Sequence, residues 1–267
     1  MTMSVIIPCY DDIRIAHCLT SIDDLDVEVV FSLNGRSPPV DRIVEDWARH
    51  YRRTTIVRLA EPNLADALEC GSLAAREARL LFMDSDCRFA PGALALLKAV
   101  SERYEVVKGH VVFENDSMLS KVIARSREHH TAEVLTAYKP PLVVHRTIRE
   151  RIGGYFFDRR LRWREDSDLD ARIRKAGIQI TGEPKAMIFH PPLRPYEDLR
   201  SAFRYGTGLA RARWLGVELT EVPRSVLSTL RSKGVAPAAY MCVRNMVYQC
   251  GTWTEWLLLQ SGMSSDV

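Results

Sequence analysis

The chain lacks several features that would assign it to a protein class at once. Its 267 residues include six cysteines, but no CxxC pair and no zinc-like spacing. This argues against a zinc module and predicts reduced thiols in a cytosolic protein. No run of about 18 apolar residues is present, so we predict no transmembrane helix. The N-terminus runs directly into a strand-like segment, so we also expect no signal peptide and a cytoplasmic location.

An excess of charge of one sign is also missing. The 37 Lys and Arg residues nearly balance the 34 Asp and Glu residues, which leaves a net charge of +3. So small an excess argues against nucleic acid as a partner. The apolar content of 46% is ordinary for a globular chain, and the length predicts one large domain or one domain with an appendage.

Apolar runs alternate with helical patterns along the first two thirds of the chain, which is typical of a mostly parallel sheet flanked by helices. The predicted strands cover residues 5–7, 27–33, 55–59, 80–83, 105–113, 142–144, 178–180 and 186–189. The predicted helices cover residues 13–22, 40–51, 64–78, 91–100, 117–135 and 168–176. From Pro195 onward the pattern is helical, with breaks near Pro223 and Gly234. We therefore expect an α/β domain over residues 1–194 and a helical C-terminal extension over residues 195–267.

The first of two acidic motifs follows the apolar run that ends at Met83 and reads Asp84-Ser85-Asp86. In open α/β sheets, ligands bind outside the carboxyl ends of the strands. Two carboxylates at such a position suit a hard divalent cation beside a diphosphate. The alternative is a solvated turn, because aspartate favours turns whatever the function.

The second motif, Glu165-Asp166-Ser167-Asp168, opens an amphipathic helix. Carboxylates are favoured near a helix N-terminus, and Asp166 has the residue type of an N-cap. A carboxylate fixed at such a position can also act as a general base. The two motifs together predict a metal-assisted transfer of a group from a phosphorylated donor.

In order and spacing, these motifs resemble the family 2 glycosyltransferases of the GT-A fold. The resemblance covers roughly residues 3–215 and includes Ser4-Val5-Ile6-Ile7-Pro8-Cys9-Tyr10-Asp11, Gly153-Gly154-Tyr155-Phe156 and the Arg172–Gly177 stretch, besides the two acidic motifs. It implies a Rossmann-like GT-A sheet and an inverting, metal-dependent enzyme. Such an enzyme moves a sugar from a nucleoside-diphosphate donor to an acceptor hydroxyl.

The resemblance also implies roles for single residues. Asp86 and Asp84 would hold a divalent metal, Mn²⁺ or Mg²⁺, with His190 as a further ligand, although a lone histidine at a strand end is more often structural. Asp166 would be the catalytic base, and Glu165 would support it. The expected donor contacts are Pro8, Tyr10, Asp11, Asn34, Asp84, Arg211 and Arg213.

Two segments determine the contacts that we expect with the nucleobase and the diphosphate of the donor. Family members usually carry an aspartate at the end of the second strand, but this chain has Leu33-Asn34-Gly35, so the base contact falls to Asn34 or the backbone. UDP, dTDP and GDP all stay open. Further on, Arg211 and Arg213 are predicted to close on the diphosphate in a mobile segment hinged at Gly206 and Gly208. The alternative there is a helix with a solvated basic face.

Two other functions compete with this interpretation. A sugar nucleotidyltransferase would need a glycine-rich loop after the first strand, where this chain has the acidic, glycine-free segment 8–12. A non-catalytic nucleotide-sugar-binding module is favoured only by the altered second-strand end.

The acceptor is left open between a small molecule, a glycan and a glycolipid. A homo-oligomer and a peripheral membrane contact of the apolar region 235–259 are also left open. A packed helix is the favoured interpretation of that region.

Overall fold

The computed structural model describes residues 2–24, 26–132, 135–222 and 225–262, and within these ranges eight strands form one sheet. The strands are β1 (Ser4–Cys9), β2 (Glu28–Asn34), β3 (Thr54–Leu59), β4 (Arg79–Phe82), β5 (Arg88–Phe89), β6 (Val106–Phe113), β7 (Leu142–His145) and β8 (Ile180–His190). The predicted break near Pro223, residues 133–134 of a predicted helix and the last five residues of the predicted extension lie outside these ranges.

The sheet has the order β3-β2-β1-β4-β7-β6-β8-β5. Strands β3, β2, β1 and β4 are parallel, β7 runs antiparallel to both of its neighbours, and β6 pairs with β8 in parallel. The carboxyl ends of β1, β2 and β4 therefore meet at one edge, where the first acidic motif begins. This placement is the one that ligands favour in open α/β sheets.

Helices cover both faces of the sheet and form the C-terminal extension. They are α1 (Ile15–Thr20), α2 (Pro38–His50), α3 (Leu64–Ala74), α4 (Ala93–Val100), α5 (Met118–Ala132), α6 (Ile148–Arg151), α7 (Glu165–Lys175), α8 (Pro195–Trp214), α9 (Val226–Lys233) and α10 (Val235–Gln260). Side chains alternate across the sheet: Val5 and Ile7 of β1 face one apolar cluster, and Ile6 faces the other. All three are fully buried.

The predicted fold class, an α/β sheet with a helical C-terminal region, is confirmed. One strand prediction is wrong, because Ile180 and residues 186–189 belong to one strand, β8, and residues 178–179 lie before it. Its middle carries Gly182 and Pro184, which look like turn residues in the sequence, and a register shift in the β6–β8 pairing lies opposite them. The two-domain division stays a prediction, although α8 begins at Pro195, next to the predicted boundary.

Helix α8 is continuous from Pro195 to Trp214, and this corrects the prediction of a glycine hinge. A Cβ atom at Gly206 would overlap the backbone carbonyl oxygen of Tyr248, and one at Gly208 would lie 2.6 Å from the carbonyl oxygen of Trp163. On α10, a Cβ atom at Gly251 would overlap the backbone of Phe203. These glycines let α8 approach α10 and the segment before α7 closely. In the described part of the chain, no helix is both long enough and apolar enough to span a membrane.

We predict that Gly206→Ala destabilises the protein by at least about 1–3 kcal/mol, because the added methyl group has to push apart two packed backbones. Chemical denaturation monitored by circular dichroism measures this free energy of unfolding. Gly182→Ala is the matched control, since its Cβ atom would meet only the end of the Leu135 side chain, at 3.3 Å. Equal stability of the two variants would contradict the close-packing role of Gly206.

Candidate active site

A single cavity of about 1090 Å³ brings the two acidic motifs together. Asp84 and Asp86 reach it from the loop after β4, and Asp166 reaches it from the first turn of α7. His190 lines it from the last residue of β8. Four residues from three separate parts of the sequence thus share one solvent-accessible space.

Asp86 and His190 form the part of the cavity that could hold a metal ion. A carboxylate oxygen of Asp86 lies 3.6 Å from Nε2 of His190 and 3.7 Å from the guanidinium group of Arg14. The Nδ1 atom of His190 lies 2.8 Å from the carbonyl oxygen of Pro191, which can only accept, so Nδ1 is the donor in this contact and Nε2 is the ring nitrogen that faces Asp86. Burial raises the pKa of Asp86, and the positive charges nearby oppose this.

The thiol of Cys87 completes a group of three candidate ligands whose atoms lie within 4.8 Å of one another. Burial raises the pKa of this thiol well above its ordinary value, and the neighbouring carboxylates raise it further. It donates to Asp86 at 3.3 Å. A neutral thiol is a poor metal ligand. The carboxylate oxygen of Asp86 and the imidazole nitrogen of His190 remain, and this donor set fits Mn²⁺ better than it fits a soft metal.

Lys139 links the two acidic motifs, and sequence reasoning missed it. Its buried ammonium group lies 3.2 Å from Asp84 and 3.4 Å from Glu165. These carboxylates raise the pKa of Lys139 against the effect of its burial, so the ammonium group stays charged. A second buried lysine, Lys108, lines the cavity nearby and donates to the carbonyl oxygen of Pro140, and burial lowers its pKa to about 7. Neither lysine lies in a recognisable motif.

Arg164 sets the start of α7 and therefore the position of Asp166. It has a φ of 70°, a left-handed conformation that is rare for a residue other than glycine. Its guanidinium group donates to Oγ of Ser167 at 2.9 Å, to the hydroxyl oxygen of Tyr248 at 2.8 Å and to the carbonyl oxygen of Thr220 at 3.2 Å. The C-terminal extension, through Tyr248, thus fixes the turn that carries the second acidic motif.

Asp168, by contrast, has a structural role. Its carboxylate, 2% exposed, lies 2.7 Å from Arg172 one turn later on α7. Arg172 also donates to the carbonyl oxygens of Ile152, Tyr155 and Phe156. The pair therefore holds the Gly153–Phe156 segment against α7. This explains physically why the glycine-containing turn and the acidic helix start occur together in the sequence.

The predicted donor residues at the ends of β1 and β2 lie beside the cavity and not in its lining. Pro8 is buried in β1, whereas Tyr10 and Asp11 are exposed beyond its end. The ring of Tyr10, 47% exposed, packs beside Gly35. The base contact of Asn34 stays a prediction; its side-chain oxygen accepts the backbone N–H of Asn63 at 2.6 Å. That bond holds the N-cap residue of α3, so the oxygen is already used within the fold.

Arg211 and Arg213, which are also predicted donor contacts, do not line the cavity, and their donor role stays a prediction. Nε of Arg211 lies 3.8 Å from the buried carboxylate of Glu255, and Arg213 pairs with Glu221 at 3.2 Å. Arg204, two turns earlier on α8, does line the cavity, as does Arg200. The guanidinium carbon of Arg204 lies 4.9 Å from the ring centre of Trp163, directly before the second acidic motif. Arg204 is therefore the better candidate for a phosphate contact.

Comparison with known proteins assigns the family. The profile described as glycosyl transferase family 2 matches residues 4–168, which is more than half of the chain. No curated protein sequence matches the chain significantly. The chain belongs to glycosyl transferase family 2, and its class of enzyme is glycosyltransferase.

Solved structures agree with this fold. The mannosyltransferase PcManGT from Pyrobaculum calidifontis, in complex with GDP-Man and Mn²⁺, superposes with a TM-score of 0.61 at 18% identity, over 97% of this chain and 79% of that one. TarS of S. aureus superposes with a TM-score of 0.59 at 14% identity, over 98% of this chain but only 55% of TarS. The TarS fragment 1–349 in complex with UDP-GlcNAc gives 0.57 at 15% identity, over 98% of this chain and 93% of the fragment.

The burial of Glu165 generates a prediction about pH. Burial raises the pKa of Glu165 from 4.5 to about 7, Asp166 adds to this, and Lys139 opposes it. Between these two pH values the folded protein keeps a proton that the unfolded chain has lost, so the free energy of unfolding decreases as the pH rises. Glu165→Gln removes this dependence. Relative to wild type, the variant should gain up to about 3 kcal/mol between pH 4.5 and pH 8.

Urea titrations across this pH range measure the effect, with the exposed Glu102→Gln as the matched control. A wild-type curve that stays parallel to that of Glu165→Gln would show that the folded protein holds no extra proton at Glu165.

Proposed function

We propose that the chain transfers a sugar from a nucleoside-diphosphate donor to an acceptor hydroxyl, with inversion at the anomeric carbon and with a divalent metal ion. The observation that carries this proposal is the cavity that Asp86, His190 and Asp166 share. It places candidate metal ligands and a candidate base within one space. A direct displacement needs a metal site for the leaving group and a base for the attacking hydroxyl, both close to the reacting atoms.

The donor is proposed to lie along the carboxyl ends of β1, β2 and β4. Tyr10 offers an exposed aromatic face for a nucleobase at the β1 end, and Asp11 lies nearby. PcManGT is described with GDP-Man, whereas TarS is described with UDP-GlcNAc and with UDP. Because these nucleotides differ and β2 ends without a carboxylate, we leave the donor as UDP, dTDP or GDP.

The diphosphate is proposed to lie between Asp86 and Arg204. Asp86 and His190 would hold Mn²⁺ or Mg²⁺, with Asp84 beside them and anchored by Lys139. When bound, the metal neutralises the negative charge that develops on the departing nucleoside diphosphate. Arg204, stacked on Trp163, and Arg200 would add positive charge from α8. Arginine suits this role because its guanidinium group can donate two parallel hydrogen bonds to phosphate oxygens.

Asp166 is proposed as the catalytic base. It would accept the proton of the acceptor hydroxyl while the hydroxyl oxygen attacks the anomeric carbon from the face opposite the leaving group, so the configuration inverts. Burial raises the pKa of Asp166, and the charges of Lys139 and Arg164 lower it. These two cations therefore help to keep the base ionised in a buried site. Glu165, paired with Lys139, would hold the ammonium group in place.

The competing functions have less support. The segment after β1 has no glycine-rich loop for a triphosphate, and family membership favours sugar transfer over nucleotidyl transfer. A non-catalytic module would have no need for Asp166 in the same cavity as Asp86 and His190. A cytoplasmic location stays part of the proposal, and all six cysteines are free thiols. The acceptor stays open between a small molecule, a glycan and a glycolipid.

We predict that Asp86→Ala abolishes the metal-dependent part of nucleoside-diphosphate binding, because it removes the central carboxylate ligand. Calorimetric titration of UDP, dTDP and GDP, in Mn²⁺ and in chelator, measures this. Asp46→Ala on the exposed side of α2 is the control for removing a carboxylate. If Asp86→Ala keeps a wild-type difference between the Mn²⁺ and chelator titrations, the metal site lies elsewhere.

We predict that Asp166→Asn lowers turnover by about 10²–10⁴-fold, because asparagine keeps the shape of the side chain but cannot accept the proton. Affinity for the nucleoside diphosphate should stay close to that of wild type. Single-turnover measurements with a labelled donor separate the two quantities. Near-normal turnover would rule out Asp166 as the base, and a parallel loss of nucleotide affinity would show a binding role instead.

We predict that Arg204→Lys weakens nucleoside-diphosphate binding by about ten- to hundred-fold, because lysine cannot reproduce a two-pronged charged contact. Binding of the matching nucleoside, which has no phosphate, should change little. Arg213→Lys on the same helix is the matched control, since Arg213 does not itself line the cavity and pairs with Glu221. Equal effects of the two variants would contradict the assignment of the phosphate contact to Arg204.

A further inference from the structure

Helix α10 presents an apolar face to solvent along its whole length. Its exposed large side chains are Val235, Val243, Met246, Trp253, Trp256 and Leu257, with exposures between 40% and 75%. Met246, Trp253 and Leu257 recur at intervals of seven and four residues, which places them on one stripe of the helix. From Val235 to Leu257 the stripe is about 33 Å long. Contiguous exposed apolar surface of this kind marks a contact site for a partner or a membrane.

The charge distribution of α10 is the reverse of that on an ordinary surface helix, because its charged side chains are buried and its exposed ones are uncharged. The 26 residues of α10 include only two charged side chains, Arg244 and Glu255, and both are almost fully buried. The exposed face therefore carries no charge. Within residues 225–262, which the structure describes without a gap, the charged side chains that reach solvent are Arg231 and Lys233, directly before α10. An uncharged stripe that follows two basic side chains along the chain complements an anionic lipid surface.

The two tryptophans of the stripe also favour a lipid surface. Trp253 and Trp256 stand edge to face, with ring centres 5.9 Å apart. Tryptophan favours the boundary between lipid headgroups and acyl chains, because its ring is apolar and its N–H group is polar. A second copy of the chain is a weaker fit to the same face. Thirteen residues of α10 are exposed, whereas a stable protein interface uses roughly 20–30 residues on each side.

We propose that the exposed face of α10 docks the protein on an anionic lipid surface, with Met246, Trp253 and Leu257 inserted and with Arg231 and Lys233 on the headgroups. The same helix lines the catalytic cavity through Arg244, Asn245, Tyr248 and Gln249. A docked enzyme would therefore hold its cavity beside the lipid, which suits an acceptor carried on a lipid. This last consequence rests on the proposed function, whereas the docking itself does not.

Vesicle flotation of the full chain tests the docking. Wild-type protein should float with phosphatidylcholine vesicles that contain phosphatidylglycerol, and the tryptophan emission should shift to the blue. Met246→Glu and Trp253→Glu should each weaken binding at least about tenfold, since each puts a charge into the inserted face. Leu73→Glu on α3 is the matched control, because Leu73 is a large apolar residue of similar exposure, 52%, on another helix. Arg231→Gln and Lys233→Gln should each weaken binding about fivefold.

Circular dichroism and thermal melts establish that each variant is folded, and sedimentation velocity gives its mass. Wild-type protein that does not float with the phosphatidylglycerol-containing vesicles would overturn the proposal, as would equal flotation of Met246→Glu, Trp253→Glu and Leu73→Glu. A wild-type dimer that Met246→Glu converts to a monomer would also overturn it, in favour of a second copy on this face. Flotation requires neither donor nor turnover, so its failure is independent of a failure of the proposed transfer reaction.

Discussion

The buried ammonium group of Lys139 is the interaction on which the rest of the site depends. It lies within 3.4 Å of one carboxylate from each acidic motif, Asp84 after β4 and Glu165 at the start of α7. Without a cation between them, carboxylates in a buried site repel one another and take up protons. Lys139 lowers the pKa of both Glu165 and Asp166 against the effect of burial. It therefore allows a candidate metal site and a candidate base to be neighbours in one cavity.

The surrounding fold fixes both sides of this arrangement. On one side, the parallel strands β1 and β4 end at the same edge and carry Asp84 and Asp86. On the other side, α7 is held at its start by Arg164, which is bonded to Tyr248 of α10. The C-terminal helices are thus part of the site, although the family profile ends at residue 168. Glycines at the α8–α10 contact bring α10 close enough for its residues to form a cavity wall.

Local sequence patterns were enough to predict most strands, most helices and the positions of the two acidic motifs, but not the short strand β5 or the continuity of β8. Asp86 and Asp166 could be found because each stands where an apolar or amphipathic element begins or ends, and chain neighbours determine that position. Lys139 could not be found in this way. It precedes two prolines in an irregular segment, and its partners lie 55 residues before it and 26 residues after it. Only the packed structure brings these charges together.

The surroundings of the arginines and glycines on α8 are set by a distant segment of the chain. Arg204 and Arg211 are seven residues apart on nearly the same face of α8, but α10 covers Arg211 with Glu255 and leaves Arg204 at the cavity. Gly206 looks like a hinge in the sequence, and its close contact with α10 is the true reason for its small size. Asn34 is predicted to bind the base, and its side-chain oxygen also holds the N-cap residue of α3. In each case a distant segment decides the role.

The central claim is that one cavity holds the metal ion, the diphosphate and the catalytic base. A crystal structure of the protein with Mn²⁺ and a nucleoside diphosphate, with anomalous diffraction data for manganese, tests it most directly. We expect the anomalous signal to locate a manganese ion bonded to Asp86 and to Nε2 of His190, with the diphosphate in contact with that ion and the carboxylate of Asp166 facing the same space. Either of two results would contradict this claim. In the first, the manganese ion of the bound nucleoside diphosphate lies away from Asp86 and His190. In the second, the nucleoside diphosphate binds without metal in a pocket that Asp166 does not line.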